Sequence, residues 1–143
     1  MNTILRRIPL GILAILAIFV GLWAATFPHA FYSSFPGFGL HWISDDGPYN
    51  EHLVRDVGAL YLGFAAAAVA AALTKSAAPG RVVGIGWALF GILHISYHLG
   101  RPEGSAFDQV GTIVTLAIDL LLGVLLAMPG RRSRDAVAIE VAR

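Results

Sequence analysis

The sequence predicts an all-α membrane domain: a four-transmembrane-helix bundle with both termini on the cytoplasmic side. Three observations carry this. Of 143 residues, 57% are hydrophobic and 13% charged, too little charge to clothe a soluble domain of this size. The apolar residues gather in four runs, each near the ~20 residues a helix needs to cross hydrocarbon. The basic residues concentrate in the segments that would share one side of a membrane.

The first span covers residues 8–27 and follows a short basic start with Arg6 and Arg7. Pro9 falls in its first turn, where a missing N–H leaves no bond unmade. A signal peptide has the same basic-then-apolar layout, but this run is long for one, and Ala24 and Ala25 make a poor cleavage site. It reads as an uncleaved span. Residues 28–49 read as a connecting loop rich in glycine, proline and aromatics, among them Phe31, Tyr32, Phe35, Phe38, Trp42 and Tyr49. Such aromatics gather at the membrane–water interface. Asp45-Asp46-Gly47-Pro48 marks a turn.

Asn50 is placed to cap the second span, residues 50–73, and Glu51 complements the positive end of its dipole. Gly58, Gly63 and Ala66 are small enough for close helix approach. A basic loop with Lys75 and Arg81 leads to the third span, residues 82–99, which Gly100, Arg101 and Pro102 end. Ser105 and Asp108 fit a capping box that opens the fourth span, residues 106–128, stopped by Pro129-Gly130. Residues 131–143 form a short cytoplasmic tail.

Arg6, Arg7, Lys75, Arg81, Arg131, Arg132 and Arg134 share one side of this layout. The opposite loops carry Arg101, with Arg55 at a helix end. The positive-inside rule therefore puts both termini in the cytoplasm and turns loops 28–49 and 100–105 outward. The chain has no cysteine, which excludes disulfides, thiolate ligands, iron–sulfur clusters and thioether-linked haem. A net charge of +1 gives no basic surface for nucleic acid.

Polar residues at the outward helix ends are the functional candidates, because charge within a span is costly and needs a partner or a purpose. His52 and Asp56 are four apart, as are His94 and His98, so each pair shares one helix face. Imidazole with carboxylate suits zinc, copper or iron, and His52, Asp56, His94 and His98 form the candidate metal set. Haem b, held by His52 with His94 or His98, ranks below a bare ion. Glu51, Arg55, Thr112, Thr115 and Asp119 complete an expected polar pocket open to the outside. Asp119 lies several turns along its helix, near mid-membrane. Plainer readings stand beside these. Arg55 and Asp56 form an ion pair, or Arg55 snorkels outward. Asp108 serves as a helix cap, and the Thr112 and Thr115 hydroxyls bond their own backbone.

Phe35-Pro36-Gly37, Tyr49-Asn50-Glu51-His52-Leu53-Val54-Arg55-Asp56-Val57-Gly58-Ala59-Leu60 and His94-Ile95-Ser96-Tyr97-His98 resemble a family of small bacterial four-helix integral membrane proteins, loosely DoxX-like in size and topology. The resemblance runs from the first span to the fourth. It implies the four-helix fold and a bacterial inner membrane, and it brings no activity or catalytic residue. Three functional expectations follow. The first is a pocket binding a transition metal or a small polar ligand. The second is an accessory subunit of a larger membrane complex or a homo-oligomer. The third is a membrane enzyme acting on a lipid or quinone-like substrate. The lipid bilayer is the common partner.

Overall fold

The computed structural model describes residues 2–129 and is all-α over them. Five helices follow in order: α1 (Ile4–Thr26), α2 (Pro28–Ser34), α3 (Glu51–Leu73), α4 (Ala78–Gly100) and α5 (Ala106–Ala127). Four of them, all but α2, are long and apolar enough to cross a membrane. No more than a third of each apolar window is buried within the bundle. The outward remainder, such as Ile15 on α1, Leu60 on α3, Leu89 on α4 and Leu121 on α5, needs an apolar surrounding, and lipid supplies it. The tail expected over residues 131–143 lies outside the described residues.

Local chemistry sets the helix ends. The Asn50 side chain accepts from the Leu53 N–H at 3.1 Å, and Ser105 with Asp108 forms the reciprocal capping box, as the sequence implies. Other boundaries differ from expectation. Helix α1 begins at Ile4 rather than residue 8, so Pro9 lies inside the helix and leaves the Leu5 carbonyl without its usual N–H donor. Helix α4 begins at Ala78 with a proline in its first turn, a position that proline tolerates. The expected loop 28–49 opens with the seven residues of α2, again led by a proline.

Helix α1 packs chiefly on α3 and α4 chiefly on α5; contact between the two pairs is lighter. Glycine permits both tight crossings. A Cβ on Gly58 would stand 2.5 Å from the Ala25 nitrogen, and one on Gly84 2.6 Å from the Ala127 nitrogen. Gly63 has nothing within 4 Å of a built Cβ and Ala66 is exposed, so these two expected contact residues face outward. Between the pairs, Tyr61 and Phe64 of α3 meet Trp87 and Phe90 of α4. They adjoin a core built on Leu10, Leu13, Ala17, Ala68 and Leu126.

Helix C-termini leave carbonyls without intrahelical donors, and here donors from other elements reach them. Arg6 donates to the Leu126 and Met128 carbonyls, and Arg81 to that of Ala127, at the end of α5. The Asn2 amide donates to Ala71, Ala72 and Thr74 at the end of α3. Arg55 donates to Ala25 at the end of α1.

Candidate functional site

The site forms at the end of the bundle where the 35–49 and 101–105 connections lie. The last turns of α4 carry His94, Tyr97 and His98. The chain leaves that helix at Arg101, whose guanidinium stacks 5.4 Å above the Tyr97 ring. It turns at Gly104, where φ is +72°, and enters α5 through the Ser105–Asp108 capping box. The long connection after α2 then folds onto this corner. The Trp42 indole donates to Asp108 Oδ1 at 3.0 Å, and its ring lies over Gly111, where a Cβ would approach it to 2.9 Å. The Tyr97 hydroxyl donates to Asp46 Oδ1 at 3.2 Å.

Beneath this roof lies a cavity of about 140 Å³, with Trp42, Asp45, His98, Glu103, Gln109 and Thr112 among its lining residues. Leu99 and Ile113 give it an apolar side. Next to it, His94 is half-buried between Phe90 and His98, with ring separations of 5.0 and 5.1 Å. Its Nδ1 is buried with no hydrogen-bond partner. Glu103 also holds one buried oxygen without a partner. Burial pushes the Glu103 carboxyl above its ordinary range, and the facing Asp46 carboxyl adds to this; Arg101 and His98 pull the other way.

The expected metal set does not assemble around one point. His52 and Asp56 pair with each other at 3.3 Å on an exposed face of α3, where the imidazole is 88% exposed. His94 and His98 stack separately on α4. Among the described residues, no three His, Asp or Glu side chains are placed to hold a metal ion. The helix periodicity that puts each pair on one face does not turn the two faces toward one another.

Of the expected polar pocket, Thr112 lines the cavity. The Thr115 hydroxyl bonds its own helix at Gly111 and Thr112. Glu51 and Arg55 pair with each other at 2.9 Å, so Arg55 takes Glu51 and the Ala25 carbonyl rather than Asp56. Asp119 lies half-buried on α5, within electrostatic reach of Tyr61 and outside the cavity lining. Trp42, Asp45, Asp46, Tyr97, Arg101 and Glu103 are the site residues that sequence reasoning missed. Asp45 and Asp46 register in the sequence only as a turn, and Trp42 only as an interfacial aromatic.

Fold and surface together define a class, a multi-pass α-helical bundle suited to a bilayer. No family model, curated protein or solved structure matches the chain.

Proposed function

We propose that the chain is a multi-pass protein of a bacterial inner membrane whose outward mouth binds a small polar ligand. The cavity under Trp42 carries this reading. Its volume is close to that of an engineered cavity of ~150 Å³ known to admit benzene, so the ligand has roughly six non-hydrogen atoms. Asp45, Glu103 and Asp108 outnumber Arg101 among its charged lining residues, which favours a neutral or cationic ligand rich in hydrogen-bond donors, such as a small amine or amide. Leu99 and Ile113 receive its apolar body. An ordinary ligand pocket has the same division into apolar walls and a few convergent polar groups.

Orientation follows from charge. Among the described residues, the end where α1 begins and α5 ends carries Arg6, Arg7, Lys75 and Arg81 and no carboxylate. The other end carries Asp45, Asp46, Glu51, Asp56, Glu103 and Asp108 against Arg55 and Arg101. The positive-inside rule turns the first end to the cytoplasm and opens the cavity outward.

Fluorotryptophan labelling provides the test, with resonances assigned through Trp42→Phe. Small amines, amides, alcohols and carboxylates are titrated into the detergent-solubilised protein. An amine or amide should move the Trp42 resonance saturably and leave Trp23 and Trp87 still. Thr112→Trp, which fills the cavity, should abolish the response. A Trp42 resonance that no class moves, in protein whose other resonances stay native, would overturn the proposal.

A further inference from the structure

The connection between α2 and α3 has a tip that neither the cavity nor the helix-end bonds use. Residues 37–39 all take left-handed backbone angles: Gly37 at φ +102°, Phe38 at +59° and Gly39 at +80°. Glycine adopts such angles freely, whereas the Cβ of an L-residue crowds the neighbouring carbonyl. Phe38 is the one non-glycine residue with positive φ among those described. The chain accepts that conformation and with it holds an aromatic ring wholly exposed. A Cβ on either flanking glycine would meet nothing within 4 Å.

The base of the tip is fixed. The Trp42 N–H donates to the Phe35 carbonyl at 3.0 Å and closes the segment between them. His41 Nδ1 lies 2.7 Å from the Ser33 carbonyl, and the Trp42 side chain is tied to Asp108. The ring is therefore carried at a set place and not on a loose strand. The tip is also uncharged: from Ile8 to Ser44 there is no Asp, Glu, Lys or Arg. The charge-free character of the first span thus continues through α2 and the tip, and ends at Asp45. At the same end of the bundle, Phe27 and Leu53 are exposed, extending the lipid-facing sides of α1 and α3 toward this connection.

We infer that residues 36–40 are an interfacial anchor, with Phe38 inserted among the headgroups and upper acyl chains of the leaflet at the loop end. The occupant of this apolar tip is the bilayer. Continuity with the lipid-facing surface and the uninterrupted lack of charge both favour it over a protein partner, whose selection would call on polar groups that the tip does not have. A fixed ring at the interface also holds the 35–49 connection, and so the Trp42 roof, at constant depth.

Spin labelling tests the inference on the full chain in phosphatidylethanolamine–phosphatidylglycerol vesicles. The absence of cysteine makes any introduced label unique. A nitroxide on Phe38→Cys should meet oxygen several-fold more often, relative to a water-soluble nickel chelate, than one on Ser76→Cys, an exposed position in the α3–α4 connection. Its ratio should approach that of Leu60→Cys, exposed midway along α3. A ratio equal to the Ser76 value places the tip in water and overturns the inference. Exclusion of both reagents means a protein cover and overturns it too. A second label at Leu40→Cys keeps the native ring in place. Adding Phe38→Asp should drop its ratio to the Ser76 value, and an unchanged ratio would again refute insertion.

Discussion

Replacing Gly58 with alanine is expected to loosen the bundle, whereas the same change at Gly63, on the same helix, is not. A Cβ at position 58 would stand 2.5 Å from the Ala25 nitrogen and 2.9 Å from its Cα. Both are backbone atoms of α1, so no side-chain rotation relieves the clash. Restoring ordinary contact requires α1 and α3 to separate by roughly 1 Å at this level, and a radial gap of ~0.5–1 Å already forfeits about a quarter to a half of each atom pair's attraction. Arg55 lies one turn away, and its bond to the Ala25 carbonyl lengthens with the separation.

Two terms compete. Alanine gains about 1 kcal/mol over glycine in helix propensity. Overpacking costs about 1–3 kcal/mol, and a charge-assisted hydrogen bond of the Arg55 kind contributes about 1.5–3 kcal/mol. Overpacking less the propensity gain leaves about 0–2 kcal/mol, and partial loss of the exposed Arg55 bond adds about 1 kcal/mol, so Gly58→Ala is destabilised by about 1–3 kcal/mol. A Cβ at Gly63 meets nothing within 4 Å, so there the propensity term acts alone and Gly63→Ala is stabilised by up to about 1 kcal/mol. Reversible unfolding in mixed detergent–SDS micelles, followed by far-UV circular dichroism, reads the difference. Should Gly58→Ala prove as stable as Gly63→Ala, the close α1–α3 crossing is not the contact described above.

Three further outcomes are expected. Arg6→Gln removes the donors to Leu126 and Met128 and should destabilise the end of α5 by about 1–2 kcal/mol, seen as faster hydrogen exchange in its last turn, while Arg7→Gln changes little. Glu103 binds its proton more tightly in the folded chain than in the unfolded one; its contribution is therefore complete below the unfolded pKa and lost as pH rises through the folded value. Corrected for the intrinsic pH dependence of amide exchange, protection of residues 101–105 should fall as pH rises above the ordinary glutamate value of about 4.3, and Glu103→Gln should flatten that fall. In intact cells, a membrane-impermeant thiol reagent should label Gly47→Cys and spare Ser76→Cys, and the reverse pattern would invert the orientation.

What could be read in advance was local. Asn50 and the Ser105–Asp108 box are recognisable because a cap and its target lie three residues apart. The four spans are recognisable because their apolar runs are long. Helix α2 escaped because a seven-residue helix of proline, aromatics and serine resembles loop composition. The site was legible only in part: His98 and Thr112 line the cavity, yet their roof comes from far away in sequence. Trp42 and Asp108 are 66 residues apart, and Asp46 and Tyr97 are 51 apart. Spacing shows which side chains share a face but not which helix that face meets. The Arg55 pairing was open to the same periodicity: residues four apart stack along a helix whereas neighbours diverge, which favours Glu51 over Asp56.

The two ends of the bundle are closed by different means. At the end where α1 begins and α5 ends, side chains from outside each helix fasten the last carbonyls of α3 and α5. Asn2 holds the first, and Arg6 with Arg81 holds the second. Two of the cations that set the charge asymmetry are thus also helix caps, so neutralising them would weaken the fold together with the orientation bias. At the opposite end, Arg55 caps α1, but the junction of α4 and α5 is covered by a connection held through side-chain bonds from Trp42 and Tyr97. Both bonds end on carboxylates, Asp108 and Asp46, so each belongs to the charge-assisted class worth about 1.5–3 kcal/mol, the same class as the arginine caps. Under the proposed function the 35–49 connection is therefore a fixed wall of the cavity, tied to α4 and α5 through Tyr97 and Asp108.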